Sequence, residues 1–353
     1  MWNIFRKKKT MEKTIRDNPH LNDTVEPDSI VTAFVLFSSL PARGDLLAAL
    51  AASPSLGQVR IDSGGARVEA SADSGAESYS HSRADLGTKE DAADEDHDGP
   101  LCVEMGDTHV YIMPIDAPVP DGEAENNAHP LLFPEGFKGH QSAHAIVSAM
   151  TIEDRGVAAV GGTSGTADGR DSASENDSAD GALMTPERDD ASHTPAHGCS
   201  AAKEDTPRQA QYRRLQAHGR VLAALAALPE CIGVYVGQAG TTLPASFVAD
   251  MLGAEPHYSS VYTPIWVWQS ETGAVNAYSY GLRALGHVEI QVRDLKQPLD
   301  QAFPYLLDIA EYLIQGATIR AGETLGTTAD DKRATRYEPW MADASVTALQ
   351  IDM

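Results

Sequence analysis

The chain has 353 residues, with 51 acidic against 27 basic side chains and a formal net charge of −24. So large an acidic excess opposes contact with phosphate backbones, which are recognised through Lys and Arg, and it excludes nucleic acid as the expected partner. Cys102, Cys199 and Cys231 are too few and too widely spaced for a disulfide framework or a paired-cysteine metal knuckle, and they suit a reducing compartment. No run reaches the roughly 18 apolar residues that a membrane helix requires. The opening Met1-Trp-Asn-Ile-Phe-Arg-Lys-Lys-Lys9 places basic residues after a short apolar start, the reverse of a secretory leader. A cytoplasmic location is expected.

Residues 1–29 read as a polar tail with a basic start. The first β-branched and aromatic run, Ile30 to Phe37, predicts a buried strand, and the apolar spacing of Leu46, Leu47, Leu50 and Ala51 after Pro41 predicts a helix. Residues 56–99 turn to Ser, Ala, Gly, Asp and Glu, a composition that buries too little surface to offset the entropy of ordering, so a disordered acidic insertion is expected. Leu101 to Met105 and Thr108 to Met113 then flank Gly106-Asp107 as a hairpin. Pro114, Pro118 and Pro120 impose an extended exit, a short helix is expected from Asp121, and His140 to Met150 reads as a strand. A second acidic insertion is expected over 152–205.

Thr206-Pro207 supplies an N-cap followed by proline at the first helical position, and Tyr212, Leu215, Val221, Leu222, Leu225 and Leu228 recur at helical spacing. The pattern continues with a strand over Cys231 to Val236, a helix over Leu243 to Leu252, and a hairpin of Pro264–Trp268 with Ala274–Tyr280. Between Tyr278 and Arg293 the chain turns through Gly281 and Gly286 into a strand over Val288 to Val292. An amphipathic helix follows from Pro298 to Gln315, with Gly316 as its left-handed terminator, then a short strand over Thr318 to Arg320. Residues 327–353 read as a weakly ordered C-terminal tail.

Helices and hairpins mix without strict βα repetition. The expected class is α+β: one domain over 30–326, its sheet antiparallel or mixed with helices on one face, its two halves ferredoxin-like. Catalytic signals are sparse. Gly233-x-x-x-Gly237-x-x-Gly240 follows a strand but lacks the spacing of a dinucleotide fingerprint and reads as a glycine-rich turn. His140 and His144 are four apart on an expected strand, too far to share a metal, and His193, His197 and Cys199 lie inside the second insertion. Neither a metal nor a cofactor is expected.

His287 and Glu289 stand two apart on the same expected strand face, so they are the candidate acid–base pair. Trp266 and Trp268 share a face, with Tyr278 and Tyr280 as cross-strand neighbours. Such a strip usually lies in a core; exposed, it marks a partner surface.

Ile232-Gly-Val-Tyr-Val236, Tyr280-Gly-Leu-Arg-Ala-Leu-Gly-His-Val-Glu-Ile290 and Ile309-Ala-Glu-Tyr-Leu-Ile-Gln-Gly316 before Gly322-Glu-Thr-Leu-Gly326 resemble the DUF4261 family, a bacterial domain of unknown function. Ala145-Ile-Val-Ser and Met113-Pro-Ile-Asp-Ala-Pro-Val-Pro120 are similar to its earlier part. These motifs are structural, and the resemblance implies one intact domain but no activity. Two readings follow. The first is a non-enzymatic module of the bacterial cytoplasm that binds a protein, basic in character, as an immunity or assembly partner. The second is a small-molecule enzyme using His287 and Glu289. Oligomeric state is not legible in these patterns.

Overall fold

The computed structural model describes residues 20–53, 56, 59–62, 67–70, 99–137, 140–151, 206–295, 298–326 and 332–353. Among them the strands form two sheets, of eight and six strands. The first contains β1 (Val31–Phe37), β2 (Val59–Asp62), β3 (Arg67–Ala70), β4 (Leu101–Met105), β5 (Thr108–Ile115), β6 (Ala143–Thr151), β7 (Cys231–Val236) and β8 (Thr241–Pro244). Their order is β3-β2-β4-β5-β6-β1-β7-β8, with every neighbouring pair antiparallel. β1 lies between β6 and β7 and is covered on both faces, which explains its nearly continuous apolar run.

Helix α1 (Arg43–Ala52) buries Leu46 and Leu50, and the one-turn helix α2 (Glu123–Asn126) buries Ala124. Ala124 joins Leu36, Val119 and Tyr235 in a small second core on the other face of the sheet. Helix α3 (Pro207–Ala226) crosses the main face. Thr206 caps it as expected: its hydroxyl accepts from the Gln209 N–H while its own N–H donates to Gln209 Oε1 at 3.0 Å. The stripe Leu215, Val221, Leu222 and Leu225 is fully buried. Two short helices, α4 (Ala245–Met251) and α5 (Tyr258–Tyr262), lead into the second sheet.

That sheet holds β9 (Ile265–Gln269), β10 (Val275–Ser279), β11 (Glu289–Leu295), β12 (Thr324–Leu325), β13 (Arg333–Pro339) and β14 (Thr347–Ile351), in the order β12-β13-β14-β11-β10-β9. β11 and β14 run parallel and the other pairs antiparallel, so the sheet is mixed. Helix α6 (Leu299–Ile314) runs unbroken through Pro304 and brings Leu306, Ala310 and Leu313 into one core with Ile290, Val292 and Leu349. Gly316 ends it in the left-handed region, at φ 99°. The architecture is α+β, its two sheets corresponding to the two halves expected. One apolar core joins them.

Three boundaries differ from the sequence reading. Residues 332–353 are no tail, and 327–331 lie outside the described residues: β14 is an internal strand between β11 and β13, with Ala348, Leu349, Gln350 and Ile351 all buried. Its partner β13 looks polar because Arg336 and Glu338 face solvent while Thr335 and Tyr337 alternate inward. Residues 20–29 are likewise built in. Asn22 is buried and joins three segments: its side-chain Nδ2 donates to the Ile319 carbonyl at 3.1 Å, its Oδ1 accepts from Val288 N–H at 2.9 Å, and its backbone N–H donates to Tyr337 Oη at 3.1 Å. Within 56–99, β2 and β3 form a hairpin that extends the first sheet. The rest of that insertion (apart from residues 56 and 99), all of 152–205 and the basic start of the chain lie outside the described residues. Thr318 to Arg320 is not a strand, and β8 and α5 were not foreseen.

A chain ending at residue 326 should therefore lose cooperative unfolding altogether, because β11 would be left without its parallel neighbour and Leu349 and Ile351 would leave the core. A truncated protein that melts like the parent would show that β13 and β14 are dispensable.

Candidate functional site

Alternation along β9 sends Ile265 and Val267 toward the core and Trp266 and Trp268 to the opposite, outer face. Register carries that face across the sheet: Trp266 opposes Tyr278, Tyr278 opposes Gln291, Gln291 opposes Gln350, and Gln350 opposes Arg336. The four aromatic residues singled out in the sequence are thus brought together, and on the outside. Trp268 is 46% exposed and Tyr280 40%. Trp266 is half-buried and packs on the His129 ring, centroid to centroid 5.3 Å.

A fifth aromatic completes the group. Gln291 is fully buried, and its amide holds the β13–β14 connection down on the outer face: Nε2 donates to the Pro339 carbonyl at 3.0 Å and Oε1 accepts from Met341 N–H at 2.8 Å. Trp340 is thereby set edge-on to Tyr278, at 5.8 Å between centroids, and tilted against Tyr280 at 5.4 Å. Sequence reasoning missed Trp340 because it assigned the segment to a tail. The inward alternation of Thr335 and Tyr337 just before it was the available signal.

Beside these rings opens a cleft of about 740 Å³, lined by Tyr280, Trp340, Glu26, Asp28, Gln238 and Arg283 among others. The Glu26 and Asp28 side chains are exposed, and neither carboxylate has a hydrogen bond among the described residues. Partial burial raises the Asp28 carboxyl above the ordinary range.

Glu289 lies at the back of this cleft, 2% exposed. Its carboxylate accepts from Ser279 Oγ at 2.6 Å and from the backbone N–H groups of Gly281 at 2.9 Å, Arg283 at 3.2 Å and Leu282 at 3.3 Å. Burial raises its carboxyl above the usual glutamate range, and these donors, Ser279 foremost, pull it back. The turn that supplies them needs glycine twice. Gly281 has φ 117°, and a Cβ there would sit 2.3 Å from the Tyr262 carbonyl oxygen; Gly286 has φ 85°, with Pro27 atoms 3.1–3.3 Å from a Cβ position.

His287 precedes β11 and is 1% exposed. Its ring bonds to the Leu313 carbonyl, and Nδ1 has no partner among the described residues. Burial, with the Arg208 charge nearby, pushes its pKa down to about 3, so it is neutral at physiological pH. His287 and Glu289 therefore have separate partners, with no hydrogen bond between them among the described residues.

The remaining motifs fall elsewhere. Gly237 to Ala239 form a 3-10 turn closed by Gly240 at φ 54°, the glycine-rich turn expected. His144 is buried, with Nδ1 2.6 Å from the Ala117 carbonyl, while His140 is exposed ahead of β6. No group of three His, Cys, Asp or Glu among the described residues is placed to hold a metal ion. His193, His197 and Cys199 lie outside those residues. No helix among the described residues is long and apolar enough to cross a membrane.

Residues 278–351 match a family model described as a domain of unknown function, DUF4261, the family named by the sequence resemblance. The match begins in β10 and ends in β14, so it covers the turn, Glu289, α6 and Trp340. The first sheet, with Ala145-Ile-Val-Ser and Ile232 to Val236, lies outside it. No curated protein and no solved structure matches the chain.

Two measurements follow. Glu289→Gln should cost about 3 kcal/mol, because an amide N–H₂ would replace either Oε1, which accepts from Gly281 and Arg283 N–H, or Oε2, which accepts from Leu282 N–H and Ser279 Oγ. Gly281→Ala should cost more than Gly286→Ala, since backbone rather than a proline ring blocks the new Cβ. An unchanged denaturation midpoint for Glu289→Gln would contradict the clamp. The second concerns protons. His287 is neutral when folded, whereas the unfolded imidazole protonates near pH 6.5, so its contribution is complete above about pH 6.5 and is lost as pH falls toward 3. At pH 5 the parent should take up about one proton more on unfolding than His287→Gln. Equal uptake would mean that His287 is charged in the fold.

Proposed function

We propose that this protein is a non-enzymatic binding module of the bacterial cytoplasm, of the immunity or assembly type, which docks a basic protein partner on its outer aromatic face. The observation that carries the reading is the outward row of Trp266, Trp268, Tyr278 and Tyr280 beside a cleft whose lip presents Glu26 and Asp28. Tyr and Trp contribute large, stiff contact area and dominate binding energy where they are buried against a partner. The free carboxylates and the net charge of −24 favour an approaching surface rich in Lys or Arg. A small-molecule enzyme built on His287 and Glu289 receives less support, because the carboxylate's donors are intramolecular and the imidazole is turned to Leu313.

The test is quantitative capture from bacterial cytosol on the immobilised full chain, compared with a Trp268→Ser, Tyr280→Ser double variant of equal thermal stability. A basic protein should bind the parent at least tenfold more tightly, about 1.4 kcal/mol, and should dissociate as salt is raised. A variant that retains the same proteins at the same affinity would refute the aromatic face as the docking surface.

A further inference from the structure

The cleft beside the aromatic row carries negative charge that the fold does not offset. Its lining holds three carboxyl groups, Glu26, Asp28 and Glu289, against the single guanidinium of Arg283. Glu289 is occupied by the turn, whereas the Glu26 and Asp28 side chains bond to no described residue. Partial burial raises the Asp28 carboxyl, and neither a positive charge nor a donor acts against that rise. Arg208 lies within electrostatic reach of Glu26, but its donors go to the Gly286 and Asn22 carbonyls and to Thr318 Oγ1. A carboxylate partly withdrawn from water and left without a partner is stabilised by an arriving cation.

Two further features narrow the chemistry of that cation. Tyr280 and Trp340 stand in the same lining, tilted at 46° with centroids 5.4 Å apart, and Tyr280 is 40% exposed. Aromatic faces attract cations, and a flat guanidinium stacks on them while keeping its N–H edge for carboxylates, which an ammonium cannot do. Trp340 is 7% exposed, and its indole Nε1–H bonds to no described residue. A buried indole N–H ordinarily has an acceptor, so the ligand that completes this site carries an oxygen as well. The volume of about 740 Å³ is that of an ordinary ligand pocket, enough for one long side chain with its backbone.

We propose that this cleft takes an arginine residue of the docking protein. Its guanidinium meets Glu26 and Asp28, its side chain lies along Tyr280 and Trp340, and its peptide carbonyl accepts from Trp340 Nε1–H. The source of the arginine rests on the docking reading above; the preference of the cleft for a guanidinium does not.

Acetyl-Gly-Arg-Gly-amide is the probe, titrated into the full chain and followed by NMR at the Trp340 indole N–H. That resonance is identified by its loss in Trp340→Phe. It should shift saturably, and the peptide with citrulline in place of arginine, alike in shape but uncharged, should bind at least tenfold more weakly. Glu26→Gln combined with Asp28→Asn should weaken the arginine peptide at least tenfold and leave the melting temperature unchanged. Should that double variant melt lower, the citrulline comparison on the parent decides instead. An arginine peptide that does not bind, or that binds no better than its citrulline form, overturns the proposal. Peptide binding by a chain that captures no basic protein would refute docking and leave the cleft as an arginine site. Capture that persists undiminished in the Glu26→Gln, Asp28→Asn variant would keep the docking face and remove the partner's arginine from the cleft.

Discussion

Glu289 is an ionisable group only 2% exposed; three of its four donors come from the turn between β10 and β11, and the fourth is Ser279 at the end of β10. A lone buried carboxylate is costly, while one that collects a hydroxyl and three backbone N–H groups instead fixes the path of the chain around it. That path sets the outer aromatic face. Tyr280 leaves the turn toward Trp340 on one side, and Gly286 brings the turn against Pro27 on the other. Arg208 of α3 reaches the same place, donating to the Gly286 carbonyl at 2.8 Å, to Thr318 Oγ1 at 2.8 Å and to the Asn22 carbonyl. The wall of the cleft is thus assembled from segments more than three hundred residues apart, from Leu21 to Thr347.

Buried polar side chains recur in this role. Asn22 joins the amino-terminal segment to Ile319, Val288 and Tyr337, and Gln291 holds Trp340 over the outer sheet. The apolar core gives the two sheets their cohesion, but it is indifferent to where a loop lies on an outer face. Directional bonds from Glu289, Gln291 and Asn22 decide that. Aromatic rings held this way are stiff, which would lower the entropy cost of the binding proposed for them.

Apolar periodicity made most of the framework legible. β1, β7, α3 and α6 were evident because large side chains recur at strand or helix spacing, and Gly286 because a turn feeding a strand needs a left-handed residue. Exposed aromatic alternation in β9 and β10 was legible as a shared face, though not its outward direction, which depends on α6 covering the opposite side. Hidden from this reading were segments held by polar bonds. Asn22 lies in a stretch with few apolar residues, and β13 shows arginine and glutamate on its solvent side. Glu289 and His287 were visible as neighbours, but their separate partners come from long-range packing that spacing does not encode.

The claim on which this account rests is that the Glu289 carboxylate clamps the turn and so shapes the cleft. Native-state hydrogen exchange of the Gly281, Leu282 and Arg283 amides in the full chain measures it directly. The clamp predicts that all three exchange only through global or near-global unfolding, at rates matching core amides such as that of Ile290. Rapid exchange of these three amides, at the rate of an open loop, would contradict it.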